Sequence, residues 1–383
     1  MSVEAGVDGP RPSRRRRVVL FNCAFLLCML LGIGAVAAVV LRAHSSPPAP
    51  STATAAVLPI NIAAPGFQLT GLFGQRVSMA DYRGKAVVLA FVDSECTTIC
   101  PLTTSTLSAA TDDLGPNSSR VQLLGIDANP LATSVGDVRA YSAAHDLLYR
   151  WNFLTGSVAD LSAVWSAYHV YTAVTKTGID HDPVVIVIDP AGRERAIFHT
   201  AMSYASVAVQ AAQLAQAIAA TLGVATTRST PPAPTSVILP AANVAMTVVA
   251  GSPSTTVELG PDHPHLIVFL ASWLTQTSDL KAQISILNEY QRAAQHSRLP
   301  SLVAIDLATT EPRAGSLVST FRTLGIRPQF PVVSDTRGAL ADGYGVQDAP
   351  WYSLAGRKGT WQHDGWLTLP RLLAAVGKTA GAR

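Results

Sequence analysis

Two stretches rich in proline, alanine, serine and threonine divide this chain of 383 residues. They cover residues 43–56 and 225–236, and both contain the tetrapeptide Pro-Pro-Ala-Pro. A segment of this composition cannot bury a core and forms an extended, semi-rigid spacer. The sequence therefore predicts two folded domains joined by a linker, and each domain is long enough to bury a core of its own.

An apolar run from Val18 to Leu41 precedes the first spacer, and Asn22 is its only polar interruption. At roughly 1.5 Å per residue the run is long enough to cross a hydrocarbon core of about 30 Å as a tilted helix. Arginines at 11 and 14–17 lie before it and only Arg42 lies directly after it, which favours a cytoplasmic amino terminus. A cleaved signal peptide is the alternative, but its apolar region is normally shorter, so we expect an uncleaved anchor.

Cys96 and Cys100 follow directly after the apolar run Ala86 to Val92, whereas Cys23 and Cys28 belong to the predicted membrane segment. We expect the run at 86–92 to form a buried strand that leads into a helix. The first turn of that helix presents positions i and i+4 on one face, which makes the two cysteines a dithiol. Such a pair exchanges with disulfides or holds a soft metal ion such as copper(I). Outside the cytoplasm it tends to become oxidised unless a metal or a dedicated reductant protects it.

Predicted strands and helices alternate in both domains. In the first domain the pattern predicts a hairpin at 66–79, strands at 86–92, 121–126, 184–188 and 194–198, and helices at 134–145, 158–171 and 206–222. In the second it predicts strands at 265–271, 301–305, 351–354 and 360–363, and helices at 278–296 and 315–324. Alternating elements that end in a hairpin and a helix are typical of a thioredoxin-like layer fold. The expected fold class is therefore α/β, with two tandem thioredoxin-like domains preceded by one transmembrane helix.

The predicted organisation has seven segments. They are a cytoplasmic basic segment (1–17), the transmembrane anchor (18–41), a linker (42–56), the first domain (57–223), a proline-rich linker (224–237), the second domain (238–378) and a short tail (379–383).

The second domain lacks the residues that make the first reactive. Leu274 and Thr277 stand where a thioredoxin would have its cysteines. Asp348 takes the place that corresponds to His181, a histidine just before the predicted strand at 184–188 of the first domain. Ala349-Pro350 is a candidate for the cis-proline of that fold. With neither a thiol nor an imidazole at these positions, this domain is predicted to be a binding or docking module.

Short motifs across nearly all of the first domain identify a family. They are Ala64-Pro-Gly-Phe67, Asp81-Tyr-Arg-Gly-Lys85, Cys96-x3-Cys100-Pro101, Leu154-Thr-Gly156, Asp180-His181 and Ile188-Asp-Pro190. Together they resemble the Sco/SenC family of membrane-anchored, thioredoxin-fold copper proteins that serve assembly of cytochrome c oxidase. The sequence departs from the family between the cysteines, where Thr97-Thr-Ile99 replaces the usual proline and aspartate, and at Asp127-Ala-Asn-Pro130.

The resemblance implies that Cys96, Cys100 and His181 are ligands of a copper ion. Two thiolates and an imidazole form a soft site that suits copper(I), which agrees with this assignment. Asp180 is a candidate to orient the His181 ring. Asp93 and Glu95 flank the cysteines, and we expect both to be solvated loop residues.

The resemblance also implies a function and a place. We expect a chaperone on a bacterial cell membrane, with one membrane pass and both domains outside the cytoplasm. It would deliver copper to the copper-bearing subunit of cytochrome c oxidase or to another copper protein, and no nucleic-acid partner is expected. The alternative is a thiol-disulfide oxidoreductase in which Cys96 and Cys100 keep the acceptor's cysteines reduced, served by a thioredoxin-like reductant. Whether the protein is an enzyme therefore stays open at this point, and a peroxidase is the least favoured reading.

Overall fold

The computed structural model describes residues 57–381 except 177, 228–231, 234, 239, 241, 253 and 357–358. All elements below belong to the compact unit Thr52–Arg383. The predicted basic segment (1–17), anchor (18–41) and first linker (42–56) lie outside the described residues.

The first domain contains strands and helices in alternation. Its strands are β1 (Val57–Ala63), β2 (Gln68–Gly71), β3 (Arg76–Ser78), β4 (Ala86–Val92), β5 (Val121–Asp127), β6 (Trp151–Thr155), β7 (Thr172–Val174), β8 (Ile179–His181), β9 (Val184–Ile188) and β10 (Arg193–His199). Its helices are α1 (Cys100–Asp112), α2 (Val135–Ala144), α3 (Val158–Ala167) and α4 (Val207–Leu222). Short 3-10 turns cover Met79–Tyr82, Gly115–Arg120 and Tyr204–Ser206.

Eight of these strands form one sheet, in the order β1-β10-β9-β4-β5-β6-β2-β3. Strands β4, β5 and β6 run parallel, and β9 lies antiparallel on the other side of β4. Every residue of β4 is buried, because a central parallel strand is covered by helices on both faces and so consists of apolar residues throughout. Strands β7 and β8 form a separate two-stranded ribbon just before β9.

The second domain has its own elements. Its strands are β11 (Val244–Ala250), β12 (Thr256–Leu259), β13 (Leu266–Leu270), β14 (Leu302–Asp306), β15 (Val332–Ser334), β16 (Trp351–Gly356) and β17 (Gly359–Asp364). Its helices are α5 (Leu280–Gln295), α6 (Ser316–Thr323), α7 (Ala339–Gly343) and α8 (Leu369–Ala380), with a 3-10 turn at Ser272–Thr275.

The second sheet repeats the strand order of the first. Its order is β12-β11-β15-β14-β13-β16-β17, which matches β3-β2-β6-β5-β4-β9-β10 strand for strand. Each pair of neighbours also has the same direction: β13, β14 and β15 run parallel, and β16 is antiparallel to β13. The topological likeness expected from the sequence is therefore present, and β1 and the β7–β8 ribbon are additions to the first domain.

Helix α4 packs against α1 in the core of the first domain. Leu214, Ala215 and Ile218 are buried in one cluster with Leu107 and Ala110 of α1. Among the described residues, Tyr204–Leu222 is the one helix long and apolar enough to cross a membrane, and half of its apolar window is buried. Because its apolar face contacts α1 and the sheet, we interpret it as a core helix.

Some predicted boundaries differ from the structure. The helix expected at 158–171 ends at Ala167, because His169 has a φ of 55° and turns the chain away from the helix axis. Tyr168 and Val170 are then buried against the sheet. The last helix continues to Ala380, two residues past the predicted end of the second domain.

Candidate metal centre

The two cysteines lie at the amino-terminal end of α1. The sequence predicts both on the first turn of this helix, but α1 begins at Cys100, and Cys96 lies in the turn before it. The backbone N–H of Cys100 donates to Cys96 Sγ at 3.4 Å, and Thr98 Oγ1 lies 3.2 Å from the same sulfur. Cys96 Sγ therefore occupies the positive end of the helix dipole, where a thiolate is stabilised.

His181 ends β8 and faces the cysteines. Its Nε2 lies 3.4 Å from Cys100 Sγ, and its Nδ1 lies 3.1 Å from the carbonyl oxygen of Asp182. A carbonyl only accepts hydrogen bonds, so in the neutral ring Nδ1 carries the proton and the Nε2 lone pair points toward the sulfur. The group that orients the ring is thus the Asp182 backbone, whereas the Asp180 side chain is exposed.

The two thiols have opposite pKa shifts. A hydrogen bond from the Cys100 thiol lowers the pKa of Cys96 well below its ordinary value, burial opposes this, and His181 adds to the decrease. Burial raises the pKa of Cys100 well above its ordinary value, and the neighbouring Cys96 sulfur adds to the increase. Burial by itself would lower the pKa of His181, but its hydrogen bond with Cys96 and the charge there raise it. Cys96 is thus the more acidic of the two thiols, and Cys100 is the one that holds its proton more firmly.

Asp93 is buried beside this pair, so the expectation that it is a solvated loop residue is wrong. It is 6% exposed, and Asn129 Nδ2 donates to its Oδ1 at 2.8 Å. Burial raises the pKa of Asp93, and the charge of Cys96 adds to the effect. Glu95 is exposed, as expected. Asn129 was not identified as a site residue, although its place just after β5, next to the end of β4, is the signal that marks it.

Cys100 and His181 have a spacing that suits a shared cation. A sulfur and an imidazole nitrogen bonded to one ion at about 2.3 Å and about 2.05 Å lie roughly 3.6–3.8 Å apart at tetrahedral to trigonal angles. The observed Sγ to Nε2 distance is 3.4 Å. Within the described residues, however, no three His, Cys, Asp or Glu side chains already surround a common metal position. Coordination by all three residues therefore requires a small side-chain adjustment, and the ligand set remains a prediction.

The equivalent loops of the second domain carry other residues. Leu274 is fully buried, and the Ala349–Pro350 bond is cis, as expected. Asp348 lies beside Thr97, which stands between the two cysteines of the first domain. The neighbouring histidines of this domain contact other side chains: His263 lies 2.8 Å from Glu258, and His265 lies 2.8 Å from Ser301.

Most of the first domain is similar to one known protein family. Residues 59–217 match the family model of SCO1/SenC. The chain matches no curated protein sequence.

Solved structures of Sco proteins are similar to part of the chain. Copper-bound ScoI of Arabidopsis thaliana is 25% identical, with 40% of this chain and 97% of that chain covered and a TM-score of 0.36. Copper-bound ScoI of Bradyrhizobium japonicum is 21% identical, with 42% and 99% covered and a TM-score of 0.37. BsSco, described as a member of the Sco family of cytochrome c oxidase assembly proteins, is 19% identical, with 37% and 85% covered and a TM-score of 0.33. The match to the SCO1/SenC family model covers residues 59–217 and ends before the second domain.

Proposed function

We propose that this protein is a membrane-anchored copper chaperone that acts outside the cytoplasm. The observation that carries the proposal is the 3.4 Å contact between Cys100 Sγ and His181 Nε2, beside a second sulfur at Cys96. The match of residues 59–217 to the SCO1/SenC family model supports it, because solved Sco structures contain copper. The acceptor we propose is the copper-bearing subunit of cytochrome c oxidase or another copper protein.

The pKa shifts suit the uptake and release of copper as cargo. Cys96, with its lowered pKa, offers a thiolate before copper arrives. Cys100, with its raised pKa, gives up its proton only as the ion binds, so uptake releases a proton. The Nδ1 contact with Asp182 holds the His181 ring so that Nε2 is the donor. Copper then passes to the acceptor by exchange of one thiolate ligand for another, without release of a free ion.

Equilibrium dialysis against copper(I) tests the ligand set. We expect about one ion per chain for the wild type, because two thiolates and an imidazole satisfy one soft ion. The variant Cys96→Ser, Cys100→Ser, His181→Ala should retain none. His199→Ala is the matched control, since His199 is exposed at the end of β10. Full copper retention by the triple variant would refute the proposed site.

A thiol-disulfide oxidoreductase is the second candidate, and one specific observation favours it. The lowered pKa of Cys96 and the raised pKa of Cys100 match an attacking thiolate and a resolving thiol. A thioredoxin-like reductant would then recharge the pair. His181→Ala separates the two functions, because dithiol exchange does not require a third ligand. If this variant restores oxidase assembly in cells as well as the wild type does, the protein acts as a reductase.

We propose the domain division and membrane topology predicted from the sequence. A single anchor at 18–41 would keep the amino terminus in the cytoplasm and both folded domains outside. The arginines at 11 and 14–17 support this orientation. A reporter enzyme that is active only outside the cytoplasm, fused after residue 56, should be active. The same reporter fused after residue 17 should be inactive, and the opposite result would reverse the topology.

A further inference from the structure

The second domain packs on the loop that carries the cysteines. Gln276 Nε2 donates to the backbone carbonyl of Ser94, two residues before Cys96. The Asp348 side chain lies beside that of Thr97, the residue directly after Cys96. Residues of the second domain therefore lie against the cysteine loop on both sides of Cys96.

Apolar contacts continue this interface along α1. Leu102, two residues after Cys100, is fully buried, and it belongs to the core cluster of the second domain. Ile99 packs against the cores of both domains. The ring of His145 stacks on Trp273, with centroids 5.7 Å apart and planes 25° apart. An apolar surface of this kind around a reactive loop favours a docked arrangement of the two domains.

Two polar contacts join the domains at positions farther from the sulfur atoms of Cys96 and Cys100. The Asp342 carboxylate accepts hydrogen bonds from Ser203 Oγ at 2.5 Å and from the Tyr204 N–H at 2.6 Å. Arg313 and Asp146 form an ion pair at 2.5 Å. The hydrogen bonds to Asp342 are partly buried, whereas the Arg313–Asp146 pair is exposed, and exposed ion pairs contribute little. Asp342 is therefore expected to stabilise the interface more.

The contacts come from topologically equivalent loops. Gln276 follows β13, just as Cys96 follows the matching strand β4, and Asp348 precedes β16 as His181 precedes β9. The second domain therefore presents the reactive edge of its fold to the reactive edge of the first. The edge of the second domain lacks thiols. It therefore forms a surface that packs on the cysteine loop but cannot exchange a disulfide or a metal ion with it.

We propose that the second domain is an intramolecular cap, which occupies the face of the cysteine loop that a partner protein must reach. Exchange of copper or of a disulfide brings the partner's sulfur into bonding distance of Cys96 or Cys100, and the docked domain excludes a protein-sized partner from that position. The cap must therefore swing away before transfer. What is transferred rests on the proposed function above, whereas the covering of the thiols does not.

Thiol accessibility in the copper-free, reduced full-length chain tests the cap. Cys23→Ser and Cys28→Ser form the background, so that only Cys96 and Cys100 react. The measurement is the ratio of two labelling rates, one for a maleimide attached to a small folded protein and one for N-ethylmaleimide. A change in thiol pKa alters both rates together, so the ratio reports steric access alone.

Asp342→Lys should open the cap. We expect the ratio to rise by about tenfold or more, because loss of hydrogen bonds to a charged group shifts an opening equilibrium by at least that factor. Arg195→Glu is the control and should leave the ratio unchanged, since Arg195 lies on β10 and pairs with Asp189 of its own domain. Circular dichroism and thermal unfolding establish that each variant is folded.

Two outcomes would overturn the cap. One is a wild-type ratio as high as that of the same reagents with a short, unstructured cysteine peptide. The other is an unchanged ratio in folded Asp342→Lys and in folded Leu102→Glu, which places a charge in the apolar interface. Neither outcome depends on copper, so the cap and the copper site succeed or fail separately.

Discussion

The loop after the central strand differs between the two domains, although the strands around it match. In the first domain this loop follows β4 and holds Cys96 and Cys100. In the second it follows β13 and holds the buried residues Trp273 and Leu274. One sheet order thus supports a candidate metal centre in one domain and a packing surface in the other. The comparison shows that the fold supplies the positions and the side chains decide the chemistry.

The core strands are the first place to test whether the domains are equivalent. Phe91 on β4 and Phe269 on the matching strand β13 are both fully buried. Replacing either by alanine should lower the free energy of unfolding by about 3–5 kcal/mol, from lost burial and the cavity left behind. Urea unfolding followed by tryptophan fluorescence measures the loss.

The pair of variants also shows whether the two domains unfold together. A capped molecule predicts one transition that shifts in both variants, because the interface couples the two cores. Separate transitions, with each variant moving only its own, would show that the domains are independent in solution.

Each domain has a buried acid at the end of the strand beside its central strand, and the two acids can be compared. Asp127 and Asp306 close β5 and β14, in register with the last residues of β4 and β13. Burial raises the pKa of Asp127 to about 8, and burial also raises that of Asp306. The two acids have different neighbours. Asp127 Oδ1 accepts a hydrogen bond from the Asn129 N–H at 3.1 Å. Asp306 lies beside a second acid, Glu311, whose carboxylate accepts a hydrogen bond from the Ser272 N–H at 2.5 Å.

Asp127→Asn should make the protein less sensitive to pH. The folded state keeps the proton up to about pH 8, whereas the unfolded state loses it above about pH 4. Wild-type stability should therefore fall as the pH rises between these values, by at most about 1.4 kcal/mol per unit, and be flat on either side. The Asp127→Asn variant should lack this slope, so its free energy of unfolding should rise relative to that of the wild type as the pH approaches 8. Urea midpoints across that range measure it, and parallel curves would show that burial does not shift this acid.

His181→Asp tests the site by giving the first domain the residue found in the second. Loss of the imidazole should weaken copper(I) binding by about 10- to 100-fold, while the two thiols still bind the ion. Competition with a chelator of known affinity measures the change. The reciprocal variant Asp348→His should add no second ion, because the second domain has no thiols. A second bound ion in that variant would show that position alone makes the site.

The elements that the sequence predicted well are those whose burial follows from the local pattern of apolar residues. Strand β4 was predicted at its observed bounds, because a run of seven apolar residues is typical of a central strand. The cysteines and His181 were placed together by motif resemblance, and the 3.4 Å contact agrees with that placement. The hairpin of β11 and β12 was not predicted, because its residues alternate between half-buried and exposed and its pairing depends on β15.

The site was predicted less completely than the fold. The burial of Asp93 depends on Asn129, which lies 36 residues away in the chain. The contact between Gln276 and Ser94 spans 182 residues. No periodicity in the sequence reports contacts of this kind, since they arise only when two separately patterned segments meet in space.

The smallest expected effect comes from a comparison of two ion pairs with the same distance between their charged atoms. Arg313 and Asp146 pair across the domains at 2.5 Å, and Arg150 and Asp112 pair within the first domain at 2.5 Å. Both pairs are largely exposed, and such pairs contribute about 0.2–1 kcal/mol that salt screens. Arg313→Ala should therefore raise the ratio of bulky to small maleimide labelling by only about twofold, and added salt should remove the difference.

Arg150→Ala should leave that ratio unchanged and lower only the stability of the first domain. A double-mutant cycle on Arg313 and Asp146, read out by the labelling ratio, isolates the contribution of the pair. A coupling of zero at low salt would mean that this ion pair does not help to hold the cap. The closed state would then depend on Asp342 and on the apolar contacts of Leu102, which are the interactions whose loss opens the cysteine loop most.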